Sequence, residues 1–277
     1  METGERRLHR LEKIVAVFAL GAVLALTFGF AQAGPKKKAH GPADDPLDQL
    51  QRENPDKVFL RSSAVLVQDA ASGATVQTLA CDISLSGAVE ALFTAAEADG
   101  LPIGGVVHAA AHYDDGLARS QTPAQIRAVL APKLAGALNL HAATATRPMD
   151  FFVLLSSATT LFGNPGQSAY VAANHALESL AQARRAAGLP ATCVLLGPIE
   201  DTGYLARHGA VQGALTARLG GRALAPQEAL AVLGSLLSAE ASGSALLHFH
   251  WSSLARLLRP AGQARFAELA RVDGTQP

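Results

Sequence analysis

Four residues carry spacing that could do chemistry. Asn174 follows Tyr170 by four positions, Ser157 precedes the tyrosine by thirteen, and Lys133 precedes it by thirty-seven. On a helix, positions i and i+4 share a face, so Tyr170 and Asn174 lie one turn apart on the same side. A tyrosine hydroxyl beside a serine hydroxyl forms a donor pair for a carbonyl oxygen. The tyrosine gives the proton, and the serine orients and polarises the oxygen. A phenol with a pKa of about 10 is a poor proton relay at neutral pH. It needs a cation nearby to favour its phenolate form. Lys133, the one lysine in the stretch 122–146, is the candidate cation. A serine or tyrosine at a strand end is also commonly structural, so residue types alone leave a packing role open.

The elements that must position these groups can be read along the chain. Phe151 to Leu155 is an apolar run that ends in Ser156 and Ser157; a loop of small residues, a helix over 167–187 and a second apolar run, Cys193 to Leu196, come after it. This is strand, loop, helix, strand, with hydroxyls at the carboxyl end of the strand, where open parallel sheets place their sites. Further strands are expected at 58–60, 74–80, 105–110 and 245–250. Ser84 is the expected N-cap of a helix that stops at Gly100. Thr122 as N-cap and Pro123 at the first position open a longer helix. Ile126, Val129, Leu130, Leu134, Leu138 and Leu140 form its expected buried stripe. Helices are also expected at 226–237, 251–258 and 264–270, with an irregular lid segment after Pro198. The alternation predicts an α/β fold: a Rossmann-like doubly wound parallel sheet.

Composition narrows the function class. Hydrophobic residues make up 49% of 277, which suits a sizeable core. Lys plus Arg equals Asp plus Glu at 23 each, so charge gives no reason to expect nucleic acid as a partner. Cys81 and Cys193 form neither a disulfide framework nor a metal site, and both sit in apolar runs as expected free thiols.

Residues 1–34 form a basic start followed by an uncharged apolar run from Ile14 to Gly34. Three readings stand: a signal peptide cleaved after Ala31-Gln32-Ala33, a membrane anchor through residues 14–34, or a strand and helix of the domain itself. The first would export the protein; an anchor would leave the domain in the cytosol, as would a purely cytoplasmic protein. Residues 35–57 read as a polar linker, and 58–277 as the α/β domain.

The motifs VVHAAAHYDDGLA, APKLAGALNLH, DFFVLLSSATTLFGNPGQSAYVAANHALESLAQARRAAGLPA and LLGPIEDTGYLAR resemble the ketoreductase domains of modular polyketide synthases and related fatty acid synthases, a branch of the short-chain dehydrogenase/reductase superfamily. In this branch the lysine comes from the preceding long helix, and asparagine stands four residues after the tyrosine. The resemblance implies reduction of a β-ketoacyl thioester on an acyl carrier protein by NADPH, within or beside other synthase domains. It implies that Tyr170 protonates the developing alkoxide and Ser157 holds it. Lys133 would lower the Tyr170 pKa and touch the nicotinamide ribose, and Asn174 would complete a relay through water. It implies cofactor contacts at Asp82 (in Cys81-Asp82), Arg61, His108, Ala109 and Ala110. Stereocontrol would fall to Asp114 and Asp115, where Tyr113 replaces the family's leucine, and to Phe162; Tyr204 would begin the lid.

The chain departs from that pattern at its start. No GxGxxG occurs in it, so the first βα unit, whose glycine turn cradles pyrophosphate at a helix N-terminus, is expected to be incomplete or replaced. A catalytically inactive ketoreductase remnant, or a structural or binding module of a synthase, is therefore the alternative reading.

Overall fold

The computed structural model describes residues 63–70, 73–98, 103–200, 221–239, 242–258 and 264–273. The expected strand at 58–60 and the whole of residues 1–57 lie outside these, as do Arg61 and Tyr204. Among the described residues no helix is long and apolar enough to cross a membrane.

Among the described residues, four strands form the central sheet: β3 Gly105–His108, β4 Phe151–Ser157, β5 Thr192–Leu196 and β6 Ser244–Leu246. They lie side by side in chain order and every pair is parallel. The expected α/β architecture is present, with helices on both faces. One face of β4 and β5 (Phe152, Leu154, Cys193, Leu195) packs on α1 Ser86–Ala96, α3 Gly136–Thr144 and α5 Ser168–Ala186. The other (Phe151, Val153, Val194) packs on α6 Pro226–Ser238. Burial on both faces explains why these strands read as continuous apolar runs rather than alternating ones.

The strand at 74–80 does form, as β2 Gly73–Ala80, but it is not part of the parallel sheet. It pairs antiparallel with β1 Ser63–Ala70, from Ser63 opposite Ala80 to Ala70 opposite Gly73. A local hairpin satisfies both backbones without a crossover. Ser84 is not the cap of α1. Leu85 holds that position with no side-chain cap, while Ser84 donates both its N–H (2.9 Å) and its hydroxyl (2.7 Å) to Asp82 Oδ1.

The long helix begins as its sequence implies. Thr122 and Gln125 form a reciprocal capping box, with Pro123 at the first turn of α2 Pro123–Leu130. It then widens into a π-helical turn, Ala131–Ala135, before continuing as α3. Pro132 accounts for the widening. It has no N–H to give back along the helix, and its ring crowds the preceding turn. The wider ring re-phases the turns beyond it: Gly136, Ala137 and Leu140 are buried, and Leu138, expected in the buried stripe, is exposed.

Helix α5 is closed by Gly188, two residues past its last turn, whose φ of 74° lets the Leu189 N–H donate to the Arg184 carbonyl at 2.9 Å. Arg184 itself is buried among apolar groups. Its guanidinium lies 3.8 Å from the Phe152 ring centroid and hydrogen-bonds His141 Nδ1, Thr144 Oγ1 and the Pro190 carbonyl. Beyond β5, the Leu224 N–H donates to the Pro198 carbonyl and the Glu200 N–H to the Leu224 carbonyl, so the two flanks of 201–220 are tied together. α7 Trp251–Leu257 and α8 Ala267–Asp273 close the chain, with Trp251 stacked on Phe266.

Candidate active site

Register places the first hydroxyl. His108 ends β3 opposite Leu154, while β4 runs three residues further, so Ser156 and Ser157 emerge at the carboxyl edge of the sheet. Ser157 Oγ accepts the Thr159 hydroxyl at 2.9 Å and the Thr159 N–H at 3.3 Å. Both acceptor sites being used, the serine's own proton is turned over to a further oxygen. Ser156 points the other way, its hydroxyl donating to Glu178 Oε1 at 2.9 Å.

Tyr170 stands in the first turn of α5. Its hydroxyl lies 3.1 Å from that of Tyr113, with ring centroids 4.7 Å apart. Asn174, one turn on, is buried; its Nδ2 donates to the Tyr170 carbonyl at 2.8 Å, and its Oδ1 has no hydrogen-bond partner. Lys133 comes in from the π turn. Its ammonium is buried, donates to the Leu155 carbonyl at 2.8 Å and sits 5.7 Å from the Tyr170 ring centroid. His108 is buried under the same turn, with Nε2 2.9 Å from the Lys133 carbonyl.

The electrostatics are set by burial. Desolvation pulls Lys133 down to about 8 and His108 down to about 4, the latter helped by the Lys133 charge. Burial pushes the Tyr170 phenol above its ordinary value; the Asp115 carboxylate adds to the rise, and Tyr113, Asn174 and Ser157 pull against it. Burial outweighs these three groups, and the Lys133 ammonium stands 5.7 Å from the ring centroid as the nearby cation. Cys193, buried in β5, is pushed up to about 12 and is inert as a nucleophile.

Four of the named residues therefore converge: Ser157, Tyr170, Lys133 and Asn174. Asp114 and Asp115 lie on the loop after β3. Asp114 takes Gln125 Nε2 at 3.1 Å on its carboxylate and Gln121 Nε2 at 2.9 Å on its carbonyl. Asp115 takes Gln167 Nε2 at 2.9 Å. Phe162, at the end of α4 Thr159–Phe162, packs edge-on against Phe249. Beyond β3, Ala109 is exposed, and Ala110 is partly buried against the core cluster. The His108 ring turns inward, which leaves only its backbone for a ligand there. Asp82 is engaged by Ser84. Among the described residues no group of His, Cys, Asp and Glu could hold a metal ion.

Two contributors escape sequence reasoning. Thr159 has no signal beyond lying two residues past Ser157. The π turn has one, a proline in the middle of a helical pattern.

The KR domain family model matches residues 52–201, more than half of the chain. The chain belongs to the KR domain family. It is 38% identical over 208 residues to the phenolphthiocerol synthesis polyketide synthase type I Pks15/1 of Mycobacterium marinum, covering 74% of this chain and 9% of that protein. It is 35% identical to highly-reducing polyketide synthase 1 of Aureobasidium melanogenum over 66% of this chain and 8% of that one. This KR chain thus spans less than a tenth of these two relatives' length. Among solved structures, an A1-type ketoreductase superposes with a TM-score of 0.63 at 29% identity, covering 72% of this chain and 42% of that one. The first ketoreductase of the tylosin polyketide synthase gives 0.60 at 35% identity, covering 71% and 43%.

The site fits the nicotinamide end of a cofactor. A buried ammonium and a phenol stand together beside the carboxyl edge of the strands, where dinucleotides bind in open α/β sheets. No GxGxxG turn is encoded for the pyrophosphate end.

Proposed function

We propose that this KR domain reduces β-ketoacyl thioesters carried on an acyl carrier protein, with NADPH, as part of polyketide assembly. The observation that carries this reading is the convergence of the Ser157, Tyr170 and Lys133 side chains at the carboxyl edge of the sheet. NADPH would supply the hydride to the ketone carbon. Ser157, its lone pairs taken by Thr159, donates its proton to the ketone oxygen and fixes it. Tyr170 gives that oxygen its proton as charge develops. Lys133 and Tyr170 would hold the nicotinamide ribose. The unpartnered Asn174 Oδ1 is an acceptor for the water through which Tyr170 is reprotonated. Desolvation of the site strengthens each of these interactions relative to water. Fluorescence titration with NADPH and turnover of a model β-keto thioester test the reading. No binding at millimolar cofactor would sink it.

One observation favours a second reading, a silent domain with a structural role in a synthase: the 277-residue sequence contains no GxGxxG. Turnover abolished by Tyr170→Phe would end that reading. We also propose that the domain works in the cytosol, where NADPH is; fractionation of cells expressing the chain with and without residues 1–34 checks this.

A further inference from the structure

The residue that distinguishes this site is Tyr113. It stands in the loop between β3 and α2, and that loop is held from several sides. Gly116 N–H donates to the Gly166 carbonyl at 2.7 Å, Gln167 reaches Asp115 at 2.9 Å, and the Ser168 hydroxyl meets Gln121 Oε1 at 3.1 Å. Gln121 and Gln125 fasten Asp114 from the other side. Tyr113 is therefore delivered to Tyr170 by a braced loop. The two rings are stacked at a tilt of 31°, and the hydroxyls are 3.1 Å apart.

Only one of the two hydroxyls can donate in this pair. If Tyr170 gave its proton to Tyr113, that proton would be withheld from a substrate oxygen. If Tyr113 donates, Tyr170 keeps its proton for the substrate, and the bond strengthens as negative charge builds on Tyr170 Oη, because a hydrogen bond to an ionised acceptor is roughly twice as strong as a neutral one. We infer that Tyr113 is a positioning residue for proton transfer: its hydroxyl donates to Tyr170 Oη, orients the phenol and stabilises the phenolate left when Tyr170 protonates substrate. This rests on Tyr170 being the proton donor, as proposed above.

Among the described residues, the groups facing Tyr170 come from four packed elements. Tyr113 and Asp115 come from the loop, Lys133 from the π turn, Ser157 from the end of β4, and Asn174 from its own helix. Asp115 opposes ionisation of Tyr170, and Tyr113 is the largest of the three groups that favour it.

The chain has three tyrosines, Tyr113, Tyr170 and Tyr204, so ring-labelled tyrosine NMR can follow each one through a pH titration after assignment with single Phe variants. In the wild type, Tyr113 and Tyr170 are expected to titrate as a coupled pair in two separated steps. In Tyr113→Phe the ring stack is kept and the donor lost, and Tyr170 should ionise in a single step, at higher pH than the first step of the pair. Tyr113→Leu, which removes the ring as well, should show the same upward displacement. An unmoved or lowered Tyr170 titration in Tyr113→Phe would overturn the inference. With the model β-keto thioester, Tyr113→Phe should lower kcat at unchanged KM. A raised kcat would show that Tyr113 blocks Tyr170, and overturns it too. The NMR arm needs no turnover, so an inactive wild type would count against the reductase reading while leaving this pairing measurable.

Discussion

His108 Nε2 meets the main-chain carbonyl of Lys133 at 2.9 Å, so the sheet's first described parallel strand holds the π turn that carries the buried Lys133. A carbonyl can only accept, so the ring carries a proton on Nε2, while burial and the Lys133 charge keep Nδ1 unprotonated and the ring neutral at pH 7. Its depressed pKa, about 4 against 6.5, makes this contact sensitive to acid. Between those two values the unfolded chain binds the extra proton and the folded one does not, so stability falls as pH drops from 6.5 toward 4. The full loss amounts to about 3 kcal/mol. Urea unfolding across that range should show the decline, and His108→Gln, which keeps a donor and cannot titrate, should flatten it.

Lys133 gives opposite pH trends for activity and stability. Its charge is lost in the folded protein as pH rises through about 8, so turnover that needs the ammonium should fall above that pH. The unfolded lysine holds its proton to 10.5, so between the two values the unfolded chain binds more protons and stability rises with pH. Lys133→Met should abolish turnover and leave the protein at least as stable at neutral pH, because a buried charge gives way to an apolar chain of similar length. Parallel rate and thermal-melt profiles against pH check both limbs.

The hydroxyl cluster makes a graded prediction. Tyr170→Phe should cut turnover of a β-keto thioester by about 10²- to 10⁴-fold, the usual worth of a positioned proton donor. Thr159→Val removes the hydroxyl that donates to Ser157 without touching the reacting atoms. A lost hydrogen bond of ordinary strength corresponds to about a tenfold fall in kcat. Ser157→Ala should then be no further reduced by adding Thr159→Val, since the threonine acts through the serine.

Arg184 is a structural counterpart, far from any substrate role. Arg184→Leu keeps bulk against Phe152 but removes the donor from which His141 Nδ1, Thr144 Oγ1 and the Pro190 carbonyl accept. A loss of about 3 kcal/mol is expected, read as a lower urea midpoint at unchanged slope.

The proton-transfer group is legible in the sequence because its clues are local. A serine at the end of an apolar run and an i, i+4 tyrosine–asparagine pair need only strand and helix periods to be placed. Lys133 is reachable through the motif around it, although its burial is not. The misses involve interactions between segments. The 74–80 strand alternates as a strand should, but nothing in its pattern says whether its neighbour is β1 or the parallel sheet. Leu138 fits a regular helical stripe, and the π turn three residues earlier rotates it to solvent. Tyr113 stands out in the sequence only as a substitution for leucine; that its hydroxyl meets Tyr170, 57 residues away, depends on the loop bracing by Gln167, Ser168 and Gly166.

The π turn has a consequence for how such a domain changes over descent. In its wide ring, Gly136 N–H reaches back five residues to the Ala131 carbonyl, one more than an α-helix spans. The helix thus carries a single supernumerary residue, and Lys133 lies in the segment that accommodates it. Loss of the codon for Ala131 or Pro132 would remove the extra residue and turn Lys133 by about 100° relative to α2. The same extra residue also sets which face of α3 is buried, so the chemistry and the core packing of this helix depend on one position.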